Sequence, residues 1–366
     1  MHPFLFNKRF DLVDFDGLKL FMLEDDNLYK AAVAEDRKYQ DLGAYQRALF
    51  TQGVPDAPVT PANVENLTSA RYGIFLVMAH LWKNGLDFIA LDVGSYIGDW
   101  GLKTGNFIRT FGRTTKVITF DPSEAGALVP YSIELNKLEA VVRHEMLAVS
   151  DFDGLVMFRY SSGGVDAGEI AGTGQDGVAL AATWLKRFGQ LPFGRRIKAY
   201  FLFAVAGLKC LVRFRIGKVE SHTLLVRCVD IPSYLESNRL DANVFAKIDI
   251  EGHDTQVIKR LLSIMSERKI YVIFEFAPIR FPSQQEAIAY LETLTDKFHV
   301  FDLFYCPNPT RMNHISPSNL ASFVADVGQR AFGYTDVFLL DKRTPACEEL
   351  LRRLSGLKSE PDAIKL

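Results

Sequence analysis

The feature that most constrains this chain is Phe88-Ile89-Ala90-Leu91-Asp92-Val93 running directly into Gly94-Ser95-Tyr96-Ile97-Gly98. A short, continuous apolar run reads as a buried parallel strand, since an edge strand would alternate apolar with polar. The glycines allow a tight turn and let backbone come close to a ligand, because no Cβ intervenes. In doubly wound α/β sheets, ligands bind beyond the carboxyl ends of the strands, where this loop falls. The spacing Asp-x-Gly-x-x-x-Gly differs from the Gly-x-Gly-x-x-Gly fingerprint that holds a pyrophosphate. An acid ahead of the loop repels phosphates and suits a cationic or hydroxyl-bearing ligand. S-adenosylmethionine, with its ammonium and sulfonium, fits that description. A plain strand-to-helix connection accounts for the same residues, so the loop alone does not decide.

The rest of the chain repeats the alternation. Strands are expected at 116–120, 141–149, 244–250 and 269–276, with 299–305 and 334–340 as later strands forming an antiparallel edge. Strands alternating with helices imply a mainly parallel sheet covered on both faces. Ahead of it, residues 10–23 read as a hairpin turning at Asp16-Gly17. Leu28, Ala32, Glu35, Tyr39 and Leu42 recur at helical spacing, 53–61 reads as a loop, and a helix over 67–83 stops at Asn84-Gly85. The expected layout is an N-terminal extension (1–87), a catalytic domain (88–340) with an insertion at about 161–227, and a tail (341–366). A hydrophobic content of 48% with 23% charged residues excludes a disordered chain. Four scattered cysteines without a Cys-x-x-Cys pair argue against a zinc ribbon or disulfide framework and for a reducing compartment. With no signal-like apolar core in residues 1–11 and no apolar run of the ~20 residues that span a bilayer, a cytoplasmic protein is expected.

Four blocks then line up in order: Asp92-Val93-Gly94-Ser95-Tyr96-Ile97-Gly98, Phe120-Asp121-Pro122, Ile133-Glu134-Leu135-Asn136 and Ala148-Val149-Ser150-Asp151. They are followed by Val229-Asp230, by Lys247-Ile248-Asp249-Ile250-Glu251-Gly252-His253-Asp254 and by Phe274-Glu275. Over roughly residues 88–280 this series resembles the FkbM family of S-adenosylmethionine-dependent methyltransferases. The resemblance implies the Rossmann-like, seven-stranded class I methyltransferase fold and methylation of hydroxyl groups on sugars and natural products. This chain departs from the family at Ser95-Tyr96, where Ala-Asn is common, at Ser132, where Asn is usual, and at Asp254, which replaces Glu.

The candidate cofactor-binding residues are Asp92, Gly94, Ser95, Tyr96, Gly98, Asp121 and Ser150. Asp121, at a strand end, is placed either to accept hydrogen bonds from a ribose diol or to cap the next helix. Methylation of an alcohol also needs a base. Asp249 and Glu251 fall at the end of the fourth core strand, where paired carboxylates raise one pKa, and His253 titrates nearest neutrality. Glu275 extends this acidic group, and Lys247 needs one of these acids as a partner if buried. The structural alternative has Asp249 as a cap, Glu251 holding Lys247 and His253 at the surface. Carboxylates also suit Mg²⁺, but no metal is assigned.

Between Gly177 and Val219 stand nine Lys or Arg residues (186, 187, 195, 196, 198, 209, 213, 215 and 218) and no acid, in a chain of net charge −2. They flank the apolar run Ala199–Leu208. Basic residues around an apolar core suit peripheral contact with an anionic membrane through residues 186–218; a buried helix with a basic rim or a dimer contact fits as well. A nucleic-acid partner is not expected, because the basic residues interleave with a long aliphatic stretch. The leading reading is an O-methyltransferase acting on a saccharide, glycan or glycolipid. The alternative is a binding or scaffold protein of the same fold with little or no turnover, while a nicotinamide oxidoreductase is disfavoured by the missing glycine fingerprint. Residues 307–333, including Arg311, Asn313 and His314, are candidates for shaping the acceptor pocket.

Overall fold

The computed structural model describes residues 10–15, 18–24, 73–161, 169–170, 221–250, 252–303, 312–330 and 333–355. The expected helix over 28–42, the loop at 53–61, the basic stretch 186–218, Asp16, Gly17, Glu251 and Arg311 lie outside them. The hairpin consists of β1 (Phe10–Phe15) and β2 (Leu18–Leu23), antiparallel with Phe15 opposite Leu18. Helix α1 (Gly73–Lys83) ends at the expected cap: Gly85 takes φ 72°, and the Leu86 N–H reaches back to the Leu81 carbonyl. Then come β3 (Phe88–Val93), α2 (Asp99–Thr110), β4 (Val117–Phe120), α3 (Val129–Leu135) and β5 (Val142–Glu145).

The strand expected over 141–149 is broken. Its ladder with β4 runs out at Phe120↔Glu145, because β4 gives way to Asp121-Pro122 and a proline has no N–H to continue it. The chain turns at Met146-Leu147, and β6 (Ala148–Ser150) joins a second sheet with β7 (Gly154–Ser161), β8 (Glu169–Ile170) and β9 (Ser221–Asp230), in the order β6-β9-β7-β8. From there the chain returns through α4 (Ile231–Ser237), β10 (Asn243–Ile248), α5 (Asp254–Leu262), β11 (Ile270–Phe276) and α6 (Gln284–Thr295). It ends in β12 (Phe298–Asp302), β13 (Asn313–Ile315), α7 (Leu320–Gln329), β14 (Thr335–Asp341) and α8 (Cys347–Ser355).

The central sheet has eight strands in the order β13-β12-β14-β11-β10-β3-β4-β5, an α/β arrangement compatible with a Rossmann-like fold. The run from β5 to β11 is parallel throughout, whereas β14 pairs antiparallel with both β11 and β12. The antiparallel strand expected at the edge is therefore interior, and the edge is the short β13. From β3 the chain builds outward to β5, then crosses back to lay β10 on the other flank of β3. That reversal makes the carboxyl ends of β3 and β10 a topological switch point.

One face of the sheet packs residues such as Phe88, Ala90, Phe245 and Phe338 against α1, α2, α3 and α8. The other packs Ile89, Leu91, Ile248 and Phe274 against α4, α5, α6 and α7. Alternate residues of each strand thus enter different cores, which is why β3 reads as unbroken hydrophobic sequence. Helices on either side of the 88–340 region contribute to the first core: Trp82 of α1 stacks on Phe88 with ring centroids 5.2 Å apart, and Leu350 and Leu354 of α8 are buried there. The hairpin is tied on by Asn136 of the third sequence block and by Ser132 just ahead of it: the Lys19 backbone exchanges hydrogen bonds with the Asn136 amide at 2.9 and 2.7 Å, and the Phe21 N–H donates to Ser132 Oγ at 3.0 Å. Among the described residues no helix is long and apolar enough to cross a membrane.

Candidate functional site

Because β3 and β10 are in parallel register, Asp92 lies beside Lys247, with Asp249 one step beyond the end of β10. Both 92 and 247 belong to the face covered by α2. Asp92 is only 1% exposed, and its Oδ2 accepts the Gly101 N–H of α2 at 2.9 Å. The helix can stand this close because residue 101 is glycine: a Cβ there would lie 2.3 Å from Thr119 Cγ2 and 2.9 Å from that carboxylate oxygen. The other oxygen, Oδ1, and the hydroxyl of buried Ser95 have no hydrogen-bond partner among the described residues. Burial pushes the Asp92 carboxyl up to about 7, against the attraction of Lys247.

The loop from Gly94 to Gly98 is held by its neighbours on both sides. Gly94 takes φ 76°, and a Cβ on it would meet the Asp249 carbonyl oxygen at 1.9 Å, so β3 turns directly over the end of β10. The 94–95 peptide N–H groups both donate to the Phe120 carbonyl at 3.0 Å. Tyr96 stands at φ 51°, which is uncommon for a residue with a side chain, and its N–H donates to Asp121 Oδ2 at 2.8 Å. Asp121 Oδ1 accepts the Ser123 N–H at 2.8 Å, so both carboxylate oxygens brace backbone. Burial raises the Asp121 pKa and these hydrogen bonds lower it, with burial the stronger. Each oxygen keeps a second lone pair for another donor. The helix cap considered for Asp121 is not formed: neither following helix has a side-chain cap, and Asp121 instead closes a local turn onto Ser123 and locks the first loop onto β4.

On the other side of β3, Lys247 Nζ donates to Asp249 Oδ2 at 3.0 Å, giving the lysine the acidic partner its position requires. Burial by itself would lower the Lys247 pKa, but Asp249, Asp92, Asp99 and Asp336 carry it well above the ordinary value. The Asp249 side chain is 41% exposed and open to a substrate. Glu275 of β11 lies opposite Asp336 of β14 and pairs with Arg280 at 2.7 Å. Asp336, absent from the sequence reading, joins this group through the antiparallel insertion of β14; burial and Asp249 push it up to about 7. Its signal in the sequence was an acid at an inward position of a strand, visible only once the pairing was known.

Ser150 and His253 are brought together. His253 Nε2 lies 2.6 Å from Ser150 Oγ, whose hydroxyl donates to Asp151 Oδ1 at 3.0 Å. The imidazole is buried, its Nδ1 has no partner among the described residues, and burial lowers its pKa. The surface position considered for His253 is therefore not the one it occupies. Asp254 opens α5 and holds the loop beside it, accepting the Ile250 N–H at 3.2 Å and the Gly252 N–H at 3.1 Å. Both neighbours of Glu251 are thus fixed. Asn313 and His314 lie on edge strand β13, on the far side of β12 and β14 from β11. Among the described residues no three His, Cys, Asp or Glu side chains stand together to hold a metal ion.

No family model, curated protein or solved structure matches this chain. At the switch point two buried oxygens, Asp92 Oδ1 and Ser95 Oγ, stand without partners among the described residues, and a group carrying positive charge or hydroxyls is what would complete them. S-adenosylmethionine fits that donor-seeking set, with Asp92 and Ser95 as the residues that would hold its polar groups.

Proposed function

We propose that this protein is an S-adenosylmethionine-dependent O-methyltransferase acting on a hydroxyl of a saccharide, glycan or glycolipid, as its resemblance to the FkbM family implies. The observation that carries the proposal is the buried, unpartnered Oδ1 of Asp92 at the switch point, together with the equally unpartnered Ser95 hydroxyl in the loop that follows. A buried carboxylate oxygen without a donor is unfavourable unless something cationic or hydrogen-bonding completes it. The sheet order supports the class I methyltransferase fold, with β14 inserted antiparallel and β13 as an eighth strand at the edge.

When bound, S-adenosylmethionine supplies a methyl group activated by a sulfonium. The chain's own task is to orient and to move a proton. Asp92 and Ser95 anchor the donor, Asp121 keeps the 94–98 loop in shape, and the absence of a side chain at Gly94 lets that loop pack directly on the Asp249 backbone. Asp249, exposed at the end of β10, takes the proton of the acceptor hydroxyl, and Lys247 fixes its position. Holding donor and acceptor in line contributes the larger share, several kcal/mol in comparable reactions. Asp249 is preferred over His253 because its side chain is 41% exposed whereas the imidazole is buried.

The test pairs calorimetric titration of S-adenosylhomocysteine with a turnover assay on a panel of glycan acceptors, for the native protein and Asp249→Asn. Native binding is expected, with turnover of the variant reduced by roughly 10²–10⁴-fold and its binding retained. Full activity in the variant, or no binding by the native protein, refutes the proposal. The second reading, a binding protein without turnover, is favoured by the engagement of Asp249 with Lys247. Native binding with no methylated product on any acceptor would support it.

A further inference from the structure

Where the β5 edge of the central sheet meets the second sheet there is a cavity of about 460 Å³, within the range of small-molecule sites. Arg143 and Glu145 of β5 line it, with Arg227 of β9, Tyr234 and Ser237 of α4, and Asp153 from the turn before β7. Val142 enters the core under α2, so its neighbour Arg143 belongs to the opposite face, the one covered by α4. The cavity is therefore on the other side of the sheet from Asp92 and Lys247.

One wall is held by its own hydrogen bonds. Arg143 pairs with Glu145 and donates to the Tyr234 hydroxyl and to Asn238 Oδ1, the last at 3.3 Å. The Tyr234 hydroxyl in turn donates to Glu145 Oε1 at 3.0 Å. Burial and Glu145 push that hydroxyl up to about 12, so it stays neutral. Asp153 is fixed as well, its Oδ1 accepting the Asp230 N–H at 3.0 Å. Side chains set in advance bind a ligand without losing further rotamer freedom.

What these bonds leave over defines the ligand. Glu145 Oε2 and Asp153 Oδ2 remain as acceptors, and Arg143 Nε and Nη1 and the Arg227 guanidinium as donors, none of them hydrogen-bonded among the described residues. Two guanidinium groups and two carboxylates cancel in charge. An anion would meet the two acids and a cation the two arginines, so neither gains from the lining as a whole. A hydroxyl donates and accepts at once, so a neutral molecule bearing several of them can use both sets.

We infer that the cavity between β5, β9 and α4 binds a neutral saccharide, with Arg227 and Arg143 donating to its hydroxyl oxygens and Asp153 and Glu145 accepting from its hydroxyl hydrogens. This goes beyond the methyl-transfer reading and does not rest on it, because the sugar is held on the opposite face of the sheet from the Asp92–Lys247 pair and needs neither cofactor nor turnover.

The experiment screens the full-length protein, without S-adenosylmethionine, against neutral hexoses and their disaccharides by saturation-transfer NMR, with inorganic phosphate and glycine as charged probes. Hydrogen exchange of residues 231–238 locates the bound sugar, since protection there separates this cavity from a site at Asp249. Arg227→Ala removes an exposed side chain, and Asp153→Asn keeps an oxygen for the Asp230 N–H; circular dichroism and melting temperature report their fold. Binding of at least one neutral saccharide is expected, with slowed exchange at 231–238 and about tenfold weaker binding in each variant, the loss of one charge-assisted hydrogen bond. Failure of every neutral saccharide to bind, exchange unchanged at 231–238, or both variants binding like the native protein would overturn the inference. Tighter binding of phosphate or glycine than of any sugar would overturn it too, assigning the cavity to a charged ligand.

Discussion

Replacing Asp92 by Asn removes a buried negative charge while leaving an oxygen to accept the Gly101 N–H. In the folded chain the Asp92 carboxyl titrates at about 7, against an ordinary value of 3.8. The native state therefore keeps its proton to higher pH than the unfolded chain does, and stability is lost as pH rises through that window. Integrated over it, the difference amounts to about 4 kcal/mol above pH 7, a figure that already contains the attraction of Lys247. The new amide NH₂ would occupy a position without an acceptor, which takes back about 1–2 kcal/mol. The ligand-free Asn variant should thus be more stable than the native protein by about 2 kcal/mol at pH 8, or roughly 3 °C in melting temperature for a chain of this size. Below about pH 4 the native carboxyl is neutral in both states, and the advantage of the variant should disappear. Urea titrations at pH 4, 6 and 8 measure this directly, with calorimetric titration of S-adenosylmethionine alongside. Gain of stability with loss of cofactor affinity is the signature of a charge held for a ligand at a cost to the fold. A variant less stable at pH 8, a gap independent of pH, or affinity equal to the native protein would refute the reasoning.

Further expectations concern neighbouring residues. Native affinity for S-adenosylmethionine should fall as pH drops through about 7, where Asp92 takes up a proton, and Asp92→Asn should flatten that profile in calorimetric titrations. Gly94→Ala forces a side chain into the Asp249 carbonyl at φ 76°; a loss of about 2–4 kcal/mol in urea titrations is expected, with no thermal shift on adding S-adenosylhomocysteine. Asp230→Asn weakens both the helix cap at Ser233 and the two-pronged contact with Arg260 at 2.8 and 3.0 Å, which should cost about 2–3 kcal/mol by the same measurement. His253 has a lowered pKa in the fold, so the stability it lends is present above the ordinary value of 6.5 and lost as pH falls through its folded value. His253→Gln should therefore make acid unfolding less steep between pH 6.5 and the acid limb.

The parallel strands were legible because each enters two cores. Residues on both faces of β3, β10 and β11 are apolar, and that pattern marks a doubly covered strand whatever its neighbours are. Strand order was less legible. Nothing in 334–340 distinguishes an edge from an interior position, and the insertion of β14 between β11 and β12 depends on pairings between residues far apart in sequence. Likewise, 141–149 is uniformly strand-like, and its break follows from where its neighbour β4 ends. Asn136 and Ser132 were read as part of a catalytic-domain pattern, yet their side chains bind the N-terminal hairpin.

By itself, the sequence determined the α/β class, the glycine loop after the first core strand and the acids near strand ends, because periodicity and backbone permissiveness are local properties. Only the tertiary structure decided what each acid does. Asp121 and Asp254 spend their oxygens on backbone N–H groups, Asp249 answers Lys247, and Asp92 alone of these keeps a buried oxygen without a donor. A carboxylate's role depends on which donors and charges surround it, and those come from strands and helices that meet only when the sheet is assembled.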